Sequence, residues 1–264
     1  TPETNELEWI TLSNKDDFTF TGYEETSRKS KIRRYAMQED QVLVVLDKSP
    51  FYAESGGQVG DTGTIKGSGV DLTVNDVKKD GEQFVHYCKG SIDNKTKGDV
   101  SCEVDFDRRQ NIRKNHTATH LMHQALKDVL GEHVQQSGSL VHPDYLRFDL
   151  SHYEKITDDQ IRLIENKVNS QILLNNSLEI SLKGYDEAKK DGAIAMFGEK
   201  YGDQVRVITI ANYSKELCGG THVDRTGDIG LFKIIEESSL AAGVRRIVAV
   251  TGQKSVEYFQ DQSY

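Results

Sequence analysis

Two short motifs rich in histidine and cysteine, about a hundred residues apart, constrain the fold of this chain more than any other feature. His116 and His120 are four residues apart, and so are Cys218 and His222. Three imidazoles and one thiolate are a suitable tetrahedral ligand set for zinc. The sequence therefore predicts a zinc site, and it requires two distant segments to converge in the folded chain.

The two halves of this ligand set call for different local structures. Positions four apart on a helix share one face, so His116 and His120 can reach the same ion from a helix. Gly219 and Gly220 argue against a second helix and favour a tight turn in which the backbone approaches its neighbours closely. A zinc protease of the common helical type needs a glutamate beside its first histidine, and Thr117 in that position excludes this class.

Bulk properties narrow the class of protein. A length of 264 residues allows one large domain or two modest ones. No run of eighteen apolar residues occurs, so we expect no membrane partner. The three cysteines are few and odd in number, which argues against a disulfide framework and favours a reducing compartment and a cytoplasmic location. The chain begins without Met or an apolar signal segment, and we interpret it as a piece of a longer protein, with a removed tag as the alternative.

Charge is unevenly distributed along the chain. The formal net charge of −9 argues against indiscriminate binding to nucleic acid, and we expect no DNA partner. One basic cluster places five cations in residues 28–34, and a second cluster precedes the first histidine pair. Such clusters are usually solvated faces, but the second borders the predicted zinc site. Arg109 and Arg113 are therefore candidate RNA phosphate contacts.

The pattern of turns and apolar runs predicts two domains of different type. Residues 1–17 are polar and read as a loose tail. Residues 18–105 contain short apolar runs separated by turn residues, which predicts a small antiparallel β-barrel. Predicted strands fall at residues 41–47, 60–65, 70–77, 83–88 and 99–106.

Residues 106–251 change to a mixed pattern. Apolar spacing predicts a helix over 107–130, and a capping box at 157–160 opens a second helix to about residue 174. Further strands are predicted at 178–182, 205–211, 230–236 and 244–251, followed by the start of a C-terminal helix over 252–264. The expected fold class is α+β, with a two-layer domain that carries the zinc-binding helix.

Polar residues near the histidine pair suit a small polar substrate. Thr119 precedes His120, and Gln136 follows the helix, so hydroxyl and amide groups are available for recognition. Alternatively, Thr119 is a buried hydroxyl bonded to the preceding helical turn. Arg147 and Asp149 would share a strand face, where they either pair with each other or leave Arg147 to dock RNA.

Five motifs together resemble the editing and barrel regions of the alanyl-tRNA synthetase family, over nearly the whole chain. They are NHTATHLMH at 115–123, QSGSL at 136–140, RFD at 147–149, CGGTH at 218–222 and the glycine-rich SPFYAESGGQVGDTG at 49–63.

The resemblance implies a function. The parent enzyme joins alanine to its tRNA with ATP and Mg²⁺ in a domain that this chain lacks, while the editing domain hydrolyses serine or glycine wrongly attached to alanine tRNA. It implies Thr119, Gln136 and Cys218 as catalytic-site residues, and Gly56, Gly57 and Gln58 as contacts to the ester or the tRNA end. The two glycines also fit a plain loop between strands.

The chemistry of the predicted site leaves alternatives open. Four protein ligands usually mark a closed, structural zinc site, whereas catalytic zinc keeps one position open. Either Cys218 yields its place, or the ion only positions substrate, which we favour. A nucleophilic Cys218 is disfavoured because a metal-bound thiolate is an unlikely attacker. At the level of the whole chain, a free-standing deacylase and a non-catalytic, zinc-stabilised tRNA-binding module are the alternative functions.

Overall fold

The computed structural model describes residues 7–15, 17–195 and 202–262. The chain divides into two compact units. The first comprises Thr1–Ser55 and Val59–Arg109, and the second comprises Gly56–Gln58 and Gln110–Tyr264. The boundary predicted from the sequence, at 105/106, lies four residues before the end of the first unit at Arg109. The prediction also assigned the whole glycine-rich segment to the barrel. Within the second unit, the amide of Val141 donates to the carbonyl of Gly57 at 2.7 Å, which ties residues 56–58 to a strand of that unit.

The first unit is a β-barrel. Its strands are β1 (Trp9–Thr11), β2 (Thr19–Phe20), β3 (Ser27–Gln38), β4 (Gln41–Leu46), β5 (Lys48–Ser49), β6 (Gly63–Gly67), β7 (Val70–Asp80), β8 (Gln83–Ile92) and β9 (Asp99–Val104). The main sheet has the order β1-β3-β4-β8-β7-β6-β9, and β3 also pairs with β9. The strands from β3 to β9 in that order therefore close into an antiparallel barrel, which confirms this part of the predicted fold class.

The barrel core follows from the period-2 alternation of its strands. Along β7, Val70, Leu72 and Val74 are buried while the residues between them are exposed. Cys88 and Cys102 lie in the same core, and neither forms a disulfide. Burial raises the pKa of both thiols to about 12, so they are inert core residues.

Strand β3 was not among the predicted strands, and its residues 28–34 were interpreted only as a basic cluster. Several of its cations have partners in the barrel unit: Arg28 pairs with Glu25, and Lys31 pairs with Asp99 at 3.0 Å. The guanidinium of Arg34 lies 4.5 Å above the ring of Trp9. This contact, together with the pairing of β1 to β3, makes the loose-tail prediction wrong for Trp9–Thr11.

The second unit is α+β. Its helices are α1 (Phe106–Leu130, whose first four residues fall in the first unit), α2 (Asp158–Leu173), α3 (Tyr185–Lys190) and α4 (Gly252–Gln262). Its strands are β10 (Gln136–Val141), β11 (Leu146–Ser151), β12 (Leu178–Gly184), β13 (Gln204–Ile210), β14 (Ser214–Leu217), β15 (Phe232–Ala241) and β16 (Val244–Thr251). They form two antiparallel sheets, β10-β11-β16-β15 and β12-β13-β14. The α+β prediction is confirmed.

One apolar core joins α1 to these sheets and to α2. Leu121, Met122 and Leu126 are fully buried on α1 and belong to a cluster that includes Phe148 of β11. The predicted capping box is present: the Thr157 hydroxyl accepts from the amide of Gln160, whose side chain accepts from the Thr157 amide. In the described residues, no helix has the length and apolar character needed to cross a membrane.

Candidate metal centre

The structure brings the four predicted ligands together within the second unit. His116 and His120 lie on α1, Cys218 follows β14, and His222 lies four residues later. One ligand atom from each residue lies within 4.8 Å of the others. The Cys218 Sγ is 3.3 Å from Nε2 of His116 and 3.3 Å from Nε2 of His222. Tetrahedral zinc places such ligand atoms about 3.3–3.6 Å apart, so the cluster could hold a metal ion of that size.

The other ring nitrogen of each histidine is held by the protein. Nδ1 of His116 lies 2.7 Å from Gln58 Oε1, and Nδ1 of His120 is hydrogen-bonded to Glu216. Nδ1 of His222 lies 3.1 Å from Thr117 Oγ1. Each histidine therefore directs Nε2 toward Cys218 or the centre of the cluster, the arrangement that outer partners impose on metal-binding histidines.

The tautomer of His116 follows from its surroundings. The backbone amide of Thr221 donates to Gln58 Oε1 at 2.9 Å, and Gln58 Nε2 donates to the Thr221 hydroxyl at 2.9 Å. A backbone N–H can only donate, so Oε1 is the acceptor and Nδ1 of His116 carries the proton. Nε2 of His116 then presents a lone pair to the cluster. On His120, Nε2 is buried and has no hydrogen-bond partner in the described residues, which an ion would satisfy.

Electrostatics favour the ligating forms of Cys218 and His222 but not of His120. Burial opposes protonation of His120, but the charges of Glu216 and Cys218 outweigh it and raise the pKa of this histidine to about 10, so an ion bound at its Nε2 must displace a proton. Burial opposes ionisation of Cys218, but the nearby His116, His222 and His120 outweigh it and hold the pKa of the thiol well below its usual value. Burial lowers the pKa of His222 to about 3, so its imidazole is neutral. A thiolate and neutral imidazoles are the forms that bind metals. The three histidines are buried, and Cys218 is partly exposed.

The turn between Cys218 and His222 depends on Gly220. A Cβ at this position would lie 2.0 Å from Cε1 and 2.3 Å from Nδ1 of the His116 ring. Arg206 Nη1 donates to the carbonyls of Gly220, at 2.6 Å, and Cys218, at 3.2 Å. Position 220 therefore requires a glycine because the His116 ring lies close against the backbone there, as the sequence predicted. Arg206 of β13 holds the turn through its two hydrogen bonds.

The glycine-rich residues have a structural setting. Gly57 has φ of +80°, and a Cβ there would lie 2.7 Å from the carbonyl oxygen of Ser139 in β10. Gln58 forms a parallel bridge with Val141 and is fully buried. Gln58 contacts a candidate ligand, so the structure places it behind the cluster and not on a surface open to substrate. Gly56, with φ of +58°, begins the same segment.

Thr119 and Gln136 keep hydrogen-bonding capacity. The Thr119 hydroxyl donates to the Asn115 carbonyl at 2.8 Å, the back-bonded geometry that the sequence left as an alternative. Its oxygen can still accept a hydrogen bond. Gln136 begins β10, and its Oε1 is buried without a partner among the described residues. Both groups could accept from a substrate.

The predicted arginine contacts have separate outcomes. Arg109 is 2% exposed, and its guanidinium donates to Asp61, Gly22 and Pro50 within the barrel unit. The expectation that Arg109 contacts RNA therefore needs correction, because it is a buried structural cation.

Arg113 and Arg147 lie in the second unit. Arg113 donates to the His222 carbonyl and, at 2.8 Å, to Asp224 Oδ1, which supports the metal-site turn. Asp149 accepts two hydrogen bonds from Arg246, at 2.8 and 3.0 Å. Arg147 lies 3.6 Å from the same carboxylate, and its Nε has no hydrogen-bond partner in the described part of the chain.

Sequence reasoning missed the residues that hold the ligands. Thr117 was considered only as a missing glutamate, Gln58 only as a substrate contact, and Glu216 not at all. For Glu216, the sequence shows only that a glutamate lies two residues before the candidate ligand Cys218, which does not indicate its partner.

Two family models match parts of the chain. Residues 6–108 match the family model of class II (A) tRNA synthetases. Residues 205–248 match the model of the threonyl and alanyl tRNA synthetase second additional domain. The barrel is therefore similar to a part of class II tRNA synthetases, and the segment that contains Cys218 and His222 is similar to this second additional domain.

Individual relatives are similar to the chain over most of its length. The chain is 48% identical over 262 residues to an alanine–tRNA ligase of Pseudoalteromonas translucida (strain TAC 125), covering 95% of this chain and 30% of that protein. It is 55% identical over 221 residues to that of Stenotrophomonas maltophilia (strain K279a), covering 83% of this chain and 25% of the relative. It thus spans less than a third of the length of these relatives, and the resemblance to a segment of alanyl-tRNA synthetase is confirmed.

Proposed function

We propose that this chain is the editing part of an alanyl-tRNA synthetase and hydrolyses the ester of serine or glycine mischarged on alanine tRNA. One observation carries the proposal: a buried His₃Cys cluster has Thr119 on the same helix, three residues from His116, in a chain similar to alanine–tRNA ligases. The proposed parent protein attaches alanine to its tRNA with ATP, in the cytoplasm.

Editing has a physical reason. Glycine lacks one methyl group of alanine, which gives a binding site only about 1–3 kcal/mol of discrimination. A small pocket also rejects an added hydroxyl poorly, so serine is accepted at a synthetic site. A second site that reads the serine hydroxyl can remove this product and spare alanyl-tRNA.

We assign zinc as the ion of the cluster, held by His116, His120, Cys218 and His222. Three imidazoles and a thiolate suit zinc in a tetrahedral site. Bound there, zinc would supply a Lewis acid that polarises or positions the ester. Cys218 is partly exposed while the three histidines are buried. Substrate therefore approaches the cluster from the Cys218 side.

The substrate contacts proposed for this chain use unsatisfied acceptors. The Thr119 hydroxyl hydrogen is committed to Asn115, so its oxygen accepts from a serine hydroxyl, a group that alanine lacks. The buried Oε1 of Gln136 is a second acceptor, suited to the amino group or hydroxyl of the bound aminoacyl ester. Arg147, whose side chain is partly exposed although its Nε lies 3.6 Å from the Asp149 carboxylate, is the arginine of this unit that we assign to the RNA end.

Hydrolysis of seryl-, glycyl- and alanyl-tRNA by this chain tests the proposal. We expect release of serine and glycine but not alanine, and a lower rate after removal of zinc by a chelator. Thr119→Val keeps the shape and removes the hydroxyl. Loss of one hydrogen bond of about 0.5–1.5 kcal/mol should reduce serine-over-alanine selectivity by about 2- to 13-fold.

The matched control is Ser170→Ala. Ser170 is an exposed residue of α2 that also donates to the carbonyl four residues earlier, and removal of its hydroxyl should leave selectivity unchanged. Equal selectivity in the Thr119 and Ser170 variants would assign serine recognition to another group. Binding of tRNA without turnover of any ester would instead support a zinc-stabilised RNA-binding module.

A further inference from the structure

A single buried carboxylate links the candidate metal centre to a histidine that is not a ligand. Glu216 lies on β14, two residues before Cys218, and its side chain is 2% exposed. One of its oxygens is hydrogen-bonded to Nδ1 of His120, and the other lies 2.8 Å from Nδ1 of His123. His120 and His123 are three residues apart on α1, so both face the same strand.

The geometry prevents Glu216 from acting as a ligand itself. Both oxygens are occupied at the Nδ1 side of the imidazoles, while the cluster lies on the Nε2 side of His120. What the carboxylate can do is hold the His120 ring in one orientation and one tautomer. Carboxylates in this position behind a metal-binding histidine also increase its basicity as a ligand.

His123 has no described hydrogen bond other than the one to Glu216. Its ring packs against Phe148, with ring centroids 5.2 Å apart, and its Nε2 is buried without a partner in the described residues. Burial of a polar ring in an apolar setting is unfavourable unless the ring forms hydrogen bonds. The hydrogen bond at Nδ1 of His123 holds the second oxygen of Glu216, and without it the carboxylate could rotate away from His120.

We propose that Glu216 and His123 are positioning residues of the metal site: Glu216 orients His120, and His123 fixes Glu216. The inference rests on the proposed metal binding at the cluster. Glu216 and His123 would then support the site from behind the ligands, and His123 would have a role although it is not one of the candidate ligands.

Metal affinity measured by competition with a chromophoric chelator tests this directly. In Glu216→Gln, the side chain retains one acceptor for two imidazole donors and loses its charge. Zinc affinity should fall about 10- to 100-fold. Glu165→Gln is the matched control, because Glu165 is a partly buried carboxylate bound to Lys233 and to the Ile234 amide, neither of which is a candidate ligand. Its zinc affinity should remain that of the original chain.

A pair of variants at His123 tests the second half of the inference. His123→Asn keeps an N–H near the position of Nδ1, and His123→Leu removes it. We expect His123→Leu to weaken zinc binding by about tenfold and His123→Asn to restore it. Visible absorption of the Co²⁺-loaded protein should change in Glu216→Gln and His123→Leu, because the ligand geometry changes.

The outcomes separate this inference from the proposed function. If the original chain binds neither Zn²⁺ nor Co²⁺, the proposed metal site is wrong. If it binds both, and Glu216→Gln and His123→Leu bind zinc within about twofold of Glu165→Gln with an unchanged Co²⁺ spectrum, the positioning roles are overturned. Should Glu216→Gln fail to fold in circular dichroism, the His123 pair decides.

Discussion

Gly220 offers the sharpest test of how closely the polypeptide wraps the candidate metal centre. Its φ lies outside the left-handed region, so an alanine there introduces no backbone strain of that kind. The new Cβ would lie 2.0 Å from Cε1 of His116 and 2.8 Å from Gln58 Oε1. Gly220→Ala therefore tests contact of the turn with the His116 ring and with Gln58, the side chain that holds this ring.

The size of the effect follows from these distances. Ordinary contact begins at 3.4 Å, so the His116 ring must move by about 1.4 Å from its 2.0 Å approach. Metal–ligand bonds tolerate only about 0.2 Å. Movement of the ring also disrupts its hydrogen bond to Gln58. Overpacking of this kind costs about 1–3 kcal/mol, which corresponds to about a 5- to 150-fold loss of zinc affinity.

The assay is competition for zinc between the protein and a chromophoric chelator, with Gly202→Ala as the control. A Cβ at Gly202 would meet no atom of the described residues within 4 Å, and the φ of Gly202 is not in the left-handed region. We expect Gly202→Ala to bind zinc like the unchanged chain. Zinc affinities of the two alanine variants within about twofold of each other would refute the argument that His116 is held against this turn.

Two further predictions concern the barrel unit. Arg109→Leu leaves the carboxylate of Asp61 buried without its partner and should lower the free energy of unfolding in urea by about 3–5 kcal/mol. A loss below about 1 kcal/mol would contradict the view that Asp61 is left as an uncompensated buried charge. Burial lowers the pKa of His86 to about 4 from 6.5, despite its hydrogen bond to Val44. The folded state therefore resists protonation, so stability is lost as the pH falls from 6.5 toward 4, by about 3 kcal/mol at most. Urea unfolding at pH 7 and pH 4.5 should show a smaller decrease in His86→Gln, and equal decreases would contradict the assignment.

The candidate ligands could be predicted because their spacing is local. Four residues on a helix, and four residues around two glycines, each bring two donors to one side without knowledge of the rest of the fold. The capping box at Thr157 and strand β16 are likewise encoded in short windows, and the structure has both near the predicted residues. Periodicity of two in the barrel strands, such as β7, has the same local origin.

Other features depend on partners that are far away in sequence. Gln58 lies 58 residues before His116, and Glu216 lies 96 residues after His120. Nothing in the local sequence of a glutamine or glutamate indicates which distant ring it will contact. Strand β3 was missed because its charged residues mask the alternation of buried positions such as Ser30 and Ile32.

The four candidate ligands are not held equally by the protein. Each of the three histidines is anchored at Nδ1, by Gln58, Glu216 or Thr117. Cys218 has a weaker restraint: its sulfur accepts from the Gly220 amide at 3.4 Å, and the residue is partly exposed. A ligand without a buried anchor loses less when it leaves an ion, since no buried hydrogen bond to an anchor must break with it. Among the four candidate ligands, Cys218 is therefore the one whose side chain the described protein contacts restrain least.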